Sequence, residues 1–112
     1  MENSEINIQF NYEYRDAGNN KKLGFVIFAN SNHIKDLEPI ELLIRKELFD
    51  EEFFYPDYLN IPSIHFEKWN RQLDHDWYRF DDLEFTVDKI TDTRSFDAFI
   101  LDIKKYSKKP VI

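Results

Sequence analysis

The sequence predicts an α+β fold in one domain spanning residues 1–112, with elements in the order β-β-α-β-β-α. Three observations carry that expectation. The segment INIQFNYEYRD near the start alternates apolar and polar residues with the period of a half-buried strand. Two later segments, LEPIELLIRKELF and TRSFDAFILDIKKYS, repeat apolar residues at helical spacing. No repeat or linker divides the 112 residues, a length that fits a single domain. An antiparallel sheet of about four strands, with both helices packed on one face, accommodates these segments.

The first strand follows from its alternation. Ile6, Ile8, Phe10, Tyr12 and Tyr14 fall on one face, and Asn7, Gln9, Asn11 and Glu13 on the other. DAGNNKK follows, rich in turn formers, with Gly18 able to take a positive φ. LGFVIFAN then returns as the second strand of an antiparallel hairpin. In the first helix Asp36 is placed to cap the start, and Pro39 falls in the first turn, where no intrahelical N–H is needed. Leu37, Ile40, Ile44 and Leu48 share one face, with Leu43 alongside. Arg45 and Lys46 stand near the end, where the helix dipole favours cations.

A short strand is expected at 63–68, where Ile64 and Phe66 alternate with His65 and Glu67. In YRFDDLEFTVD the apolar row runs Tyr78, Phe80, then Leu83, Phe85 and Val87. Its alternation breaks at Asp81-Asp82, which calls for a bulge or turn. Phe96, Phe99, Ile100 and Ile103 make the stripe of the last helix, which Ser95 can cap. Lys104, Lys105, Lys108 and Lys109 gather at its end, and Pro110 stops it.

Composition narrows the chemistry. Eleven Phe, six Tyr and two Trp favour a packed domain over a disordered chain. The absence of cysteine removes disulfides, zinc–thiolate sites and thiol nucleophiles. MENSEINIQF has neither the basic nor the apolar region of a signal peptide, and no stretch approaches the ~20 apolar residues of a membrane helix. A cytoplasmic protein with no membrane attachment is the expectation. The two glycines, Gly18 and Gly24, form no phosphate-binding loop, and no serine lies in a Gly-x-Ser-x-Gly elbow. Asp81-Asp82 and Asp50-Glu51-Glu52 read as solvated charges rather than an acid–base pair, which needs a desolvated partner. No catalytic residue and no cofactor are assigned.

The formal net charge of −7 is unevenly spread. Residues 1–35 hold four acids and four bases; residues 36–88 hold fifteen acids and five bases; residues 89–112 hold three acids and six bases. The acidic middle argues against nucleic acid as a partner, because phosphate binding rests on Lys and Arg. It also contains FDEEFFYPDYLNIPSI, where aromatics mix with acids and Pro56 and Pro62 prevent a long regular element. That segment reads either as a loop pinned to the core edge or as a recognition patch. The candidate contacts with a basic protein partner are Asp50, Glu51, Glu52, Phe54, Tyr55, Asp57 and Tyr58, joined by Asp74, His75 and Asp76. In this reading the chain is an interaction domain of the inhibitor, immunity or regulatory type. Trp77 is expected to be largely buried, with Asp74-His75-Asp76 as the polar turn that leads into its strand.

The segments YRDAGN at 14–19, FEKW at 66–69 and LDHDW at 73–77 together resemble a group of small uncharacterised bacterial proteins. The resemblance covers residues 10–87 and implies a hairpin, a helix and an aromatic stretch in that order. It implies no activity and no catalytic residues. Where that group has a glycine after the first helix this chain has Glu51, which implies a different helix end here.

An alternative reading keeps metal chemistry open. On a strand at 63–68, His65 and Glu67 share one face, and His75 with Asp74 or Asp76 could complete a mixed imidazole–carboxylate site for zinc or a similar ion. Against it, neighbouring side chains of an extended segment point to opposite faces, so the triplet converges only if the chain turns.

Overall fold

The computed structural model describes residues 6–62, 64 and 77–107. Seven elements follow in order: β1 (Asn7–Arg15), β2 (Lys21–Phe28), α1 (Glu38–Glu47), β3 (Phe53–Phe54), α2 (Pro56–Leu59), β4 (Tyr78–Thr86) and α3 (Phe96–Tyr106). The strands form one antiparallel sheet in the order β2-β1-β4-β3. An α+β fold with a four-stranded antiparallel sheet is therefore present, and the described elements run β-β-α-β-α-β-α. The third described strand is the two-residue β3; the strand expected at 63–68 lies outside the described residues.

The alternation of β1 becomes the central strand. Ile8, Phe10, Tyr12 and Tyr14 are all buried, while Ile6 at the start of the row is exposed. Across the sheet Ile8 lies opposite Phe28, Phe10 opposite Val26, and Tyr12 opposite Gly24. Gly24 leaves room here: a Cβ would stand 2.9 Å from Ile64 Cδ1 and 3.0 Å from the Tyr12 ring, so both side chains would have to give way. The hairpin turn is closed by Asp16, whose Oδ1 accepts from the Asn20 N–H at 2.8 Å. The positive φ expected at Gly18 is found one residue later, at Asn19 with φ 65°. Asn tolerates that conformation because its short side chain bonds locally.

Between β1 and β4 the register shifts: Asn11 faces Asp82, but Tyr12 faces Phe80. Asp81 is the extra residue, so the expected irregularity is a β-bulge. Through it Phe80 and Leu83, three positions apart, both reach the core. Past Leu83 the apolar row leaves it, and Phe85 and Val87 are exposed.

The core joins this sheet face to both longer helices. Phe10 stacks on Phe80 at 4.9 Å and meets Phe99 edge-on at 5.1 Å, while Phe28 stacks on Phe99 at 4.3 Å. Ile44 and Leu48 enter it from α1 and the residue after it, with Phe96 and Ile103 from α3. Asp36 does assist the start of α1, its Oδ1 accepting from the Glu38 N–H at 3.2 Å, although Leu37 occupies the cap position. Ser95 caps α3 as its sequence suggests, accepting from the Ala98 N–H at 3.2 Å.

Side chains of α1 close the free edge of β4. Glu41 Oε2 accepts from the Leu83 N–H at 2.9 Å, and an Arg45 guanidinium N–H donates to the Asp81 carbonyl at 2.8 Å. Unpaired strand edges invite further pairing, and such contacts prevent it.

Trp77 is not largely buried; it is 40% exposed. Tyr78 takes the core-facing place at the start of β4, so the residue before it points the other way.

Candidate functional site

The acidic–aromatic segment folds back directly after α1. Phe49 and Phe53 exchange backbone hydrogen bonds at 2.9 and 2.8 Å, and the Glu52 N–H donates to the Phe49 carbonyl at 3.0 Å. Asp50 and Glu51 at the tip both take positive φ, 52° and 60°. That pattern belongs to the tight turns that usually carry Asn and Gly. Arg45 supports the tip by donating to the Glu51 carbonyl at 3.2 Å. The carboxylates of Asp50, Glu51 and Asp57 are exposed, and no cation among the described residues pairs with them.

Beside this tip three rings stand together. Tyr55 lies 5.8 Å from Phe49 and 5.0 Å from Tyr58, centroid to centroid. All three keep part of their surface in solvent. The Tyr58 hydroxyl is buried with no hydrogen-bond partner among the described residues. Phe54 departs from the expected contact set. It is fully buried against Phe10 and Tyr12 and has no surface to offer a partner. The strand period explains this: Phe53 and Phe54 point to opposite faces, and Phe54 takes the inner one. Glu52 is half-buried and turned onto Arg79, with Nε donating to its carboxylate at 2.5 Å. Asp74, His75 and Asp76 lie outside the described residues, as do His65 and Glu67 of the alternative metal reading. Among the described residues no three His, Asp or Glu side chains converge as metal ligands would.

A second cluster lies on the outer sheet face, around Glu13. Its side chain is only 4% exposed and is ringed by Arg15 at 3.3 Å, Lys21 at 3.4 Å and Arg79 at 3.8 Å. Above it opens a pocket of about 330 Å³, lined also by Asp16, Glu52, Phe53 and Trp77. Asp81 beside it has its carboxyl pushed above the ordinary range, chiefly by burial and then by the charge of Glu13.

Arg94 forms a third cluster, which sequence reasoning did not single out. It bonds Asp92 at 2.7 Å, Asp102 at 3.0 Å, and the carbonyls of Leu59 and Asn60 at 2.8 and 3.1 Å. Its guanidinium also lies over the rings of Phe99 and Phe28, at 5.2 and 5.6 Å. The hydrogen bonds from Arg94 hold the Asp92 carboxyl below the ordinary aspartate range, against the opposing effect of burial. One residue thus ties α2, the loop before α3 and α3 itself together. A signal did exist: Asp92-Thr93-Arg94 is a charged pair of local spacing just before a helix.

Comparison of the chain with protein-family models, curated proteins and solved structures finds no match. No helix among the described residues is long and apolar enough to cross a membrane.

Proposed function

We propose that this chain is a protein-interaction domain, of the inhibitor, immunity or regulatory type, which meets a basic partner through the turn and aromatics of residues 49–58. The observation that supports this reading is the left-handed pair Asp50 and Glu51. Left-handed backbone costs a non-glycine residue roughly 1–2 kcal/mol, a cost that glycine escapes. Two acids stand there instead, both exposed and neither paired with a cation among the described residues. Exposed carboxylates steer a basic protein into contact, and the adjoining Phe49, Tyr55 and Tyr58 rings suit the anchoring role that aromatics take at interfaces. The lack of cysteine favours a reducing compartment, and the cytoplasm belongs to this reading.

The test uses the variant in which Asp50→Gly and Glu51→Gly are combined. It should unfold at higher urea than the wild type, because strain is relieved. As bait in a native-cell lysate, the wild type should capture a protein of basic net charge, with capture weakening as salt rises. The double variant should lose that protein. Equal, salt-insensitive capture by both would refute the reading.

A further inference from the structure

Among the described residues, the edge of β2 is covered over one half and uncovered over the other. Ile27 turns both backbone groups away from β1: its N–H donates to Thr91 Oγ1 at 2.9 Å, and its carbonyl accepts from the Thr91 N–H at 2.9 Å. Ala29 continues the contact, pairing with Ser95 in parallel and accepting from the Phe96 N–H at 2.9 Å. Residues 91–95 therefore cover the edge from Ile27 onward. Backbone direction alternates along an antiparallel strand, so the groups of Phe25 and Leu23 also turn outward. No hydrogen bond among the described residues satisfies them, and their side chains are 54% and 66% exposed. The cleft beside Phe25, lined by Asn60, Ile61 and Pro62, is open as well.

We propose that this edge joins two copies of the chain, with β2 paired antiparallel to β2 about a two-fold axis at Leu23. Leu23 then lies opposite Leu23 of the second copy, and Lys21 opposite Phe25 on either side. The fit rests on length, on charge and on apolar surface. A long foreign strand would run into Thr91 beyond Phe25. The second copy's strand ends there, because the chain turns back at Asp16–Asn20 before Lys21. The edge lies in residues 1–35, where acids and bases balance, so two molecules of net charge −7 meet where repulsion is least. No cation faces a cation. Each Lys21 keeps its own Glu13 at 3.4 Å and sets its stem against a Phe25 ring. Leu23 and Phe25, both on the outer face, merge with their symmetry mates into one apolar band. Such self-complementary contacts are isologous and close on themselves.

The experiment is sedimentation velocity on the full chain across a concentration series. The wild type should pass from monomer to dimer as concentration rises. Leu23→Lys, which places like charges on the axis, should remain monomeric with an unchanged circular dichroism spectrum. Leu42→Lys, at an exposed α1 position, should dimerise as the wild type does. Hydrogen exchange of the wild type gives an independent reading: the Leu23 and Phe25 amides should slow as concentration rises. A wild type that stays monomeric, a Leu23→Lys variant that still dimerises, or amide exchange at those two residues that ignores concentration would each overturn the proposal.

Discussion

Arg94 and Glu13 are each a charge drawn into the fold, held by opposite kinds of neighbour. Arg94 is met by two carboxylates, two backbone carbonyls and two ring faces, most of them fixed by α2, α3 or the core. Glu13 is met by Arg15, Lys21 and Arg79, long side chains that each keep nearly half their surface in water. The Arg94 partners cannot leave; the Glu13 partners can swing out and be solvated. The first cluster is a bolt between segments. The second is the floor of a pocket whose walls can move. How much a buried charge contributes therefore depends on whether its partners have another place to go.

That contrast can be broken at its strong end. Arg94→Ala should destabilise the fold by about 3–5 kcal/mol, the scale of opening a buried ion pair, because Asp92 and two carbonyls lose their donor. Urea titration measures it. Arg94→Lys should recover only part of the loss, since one ammonium cannot reproduce the planar set of bonds. A loss below about 1 kcal/mol for Arg94→Ala would mean the segments hold together without it.

Glu13→Gln should cost less, about 1.5 kcal/mol, the low end of the range for a hydrogen bond to a charged group. Added salt should narrow its difference from the wild type more than it narrows that of Arg94→Ala, because the cations around Glu13 are the exposed ones. Equal salt response would erase the distinction between the two clusters.

The carboxyls beside each cluster sharpen the comparison through pH. Asp92 has a lowered folded pKa, so its stabilising effect is complete above the ordinary aspartate value of 3.8 and is lost as pH falls through the folded value. Asp92→Asn should be less stable than the wild type at neutral pH, and the gap should close in acid. Asp81 has a raised folded pKa, so its charge opposes folding at neutral pH and its protonation favours folding as pH falls. Asp81→Asn should be the smallest effect, a gain of roughly a few tenths of a kcal/mol at neutral pH that vanishes in acid. Urea midpoints over a pH series test both; slopes of the same sign would contradict the assignment.

Sequence reading reached the parts of the fold that local chemistry decides. The β1 row was legible because one face alone carries apolar side chains, which leaves a strict period of two. Ser95 was legible because a helix start needs an acceptor, and the break at Asp81-Asp82 because an interrupted period has few causes. What was hidden depends on residues distant in the chain. Arg94 draws on Leu59, Asn60 and Asp102, which no local pattern links to it. Trp77 looked like core by its size, but Tyr78 next to it had already claimed the inward place. Within the candidate contact set the acids of the turn were readable as exposed. The inward direction of Phe54 was not, because β3 is two residues long and its pairing with β4 alone decides which ring faces in.

The extra residue at Asp81 gives β4 two phases. Up to Phe80 the even-numbered positions take the inner face, and from Leu83 onward the odd-numbered ones do, Leu83 alone among them reaching the core. Chain length is therefore information at this point, separate from which amino acid stands there. Many side chains could serve at 81, but the count of residues between Phe80 and Leu83 could not change without consequence. Deleting Asp81 would leave Phe80 and Leu83 two positions apart on one face of a regular strand, so the inward row would survive while the bulge's local bend and the carbonyl that Arg45 grips would be lost.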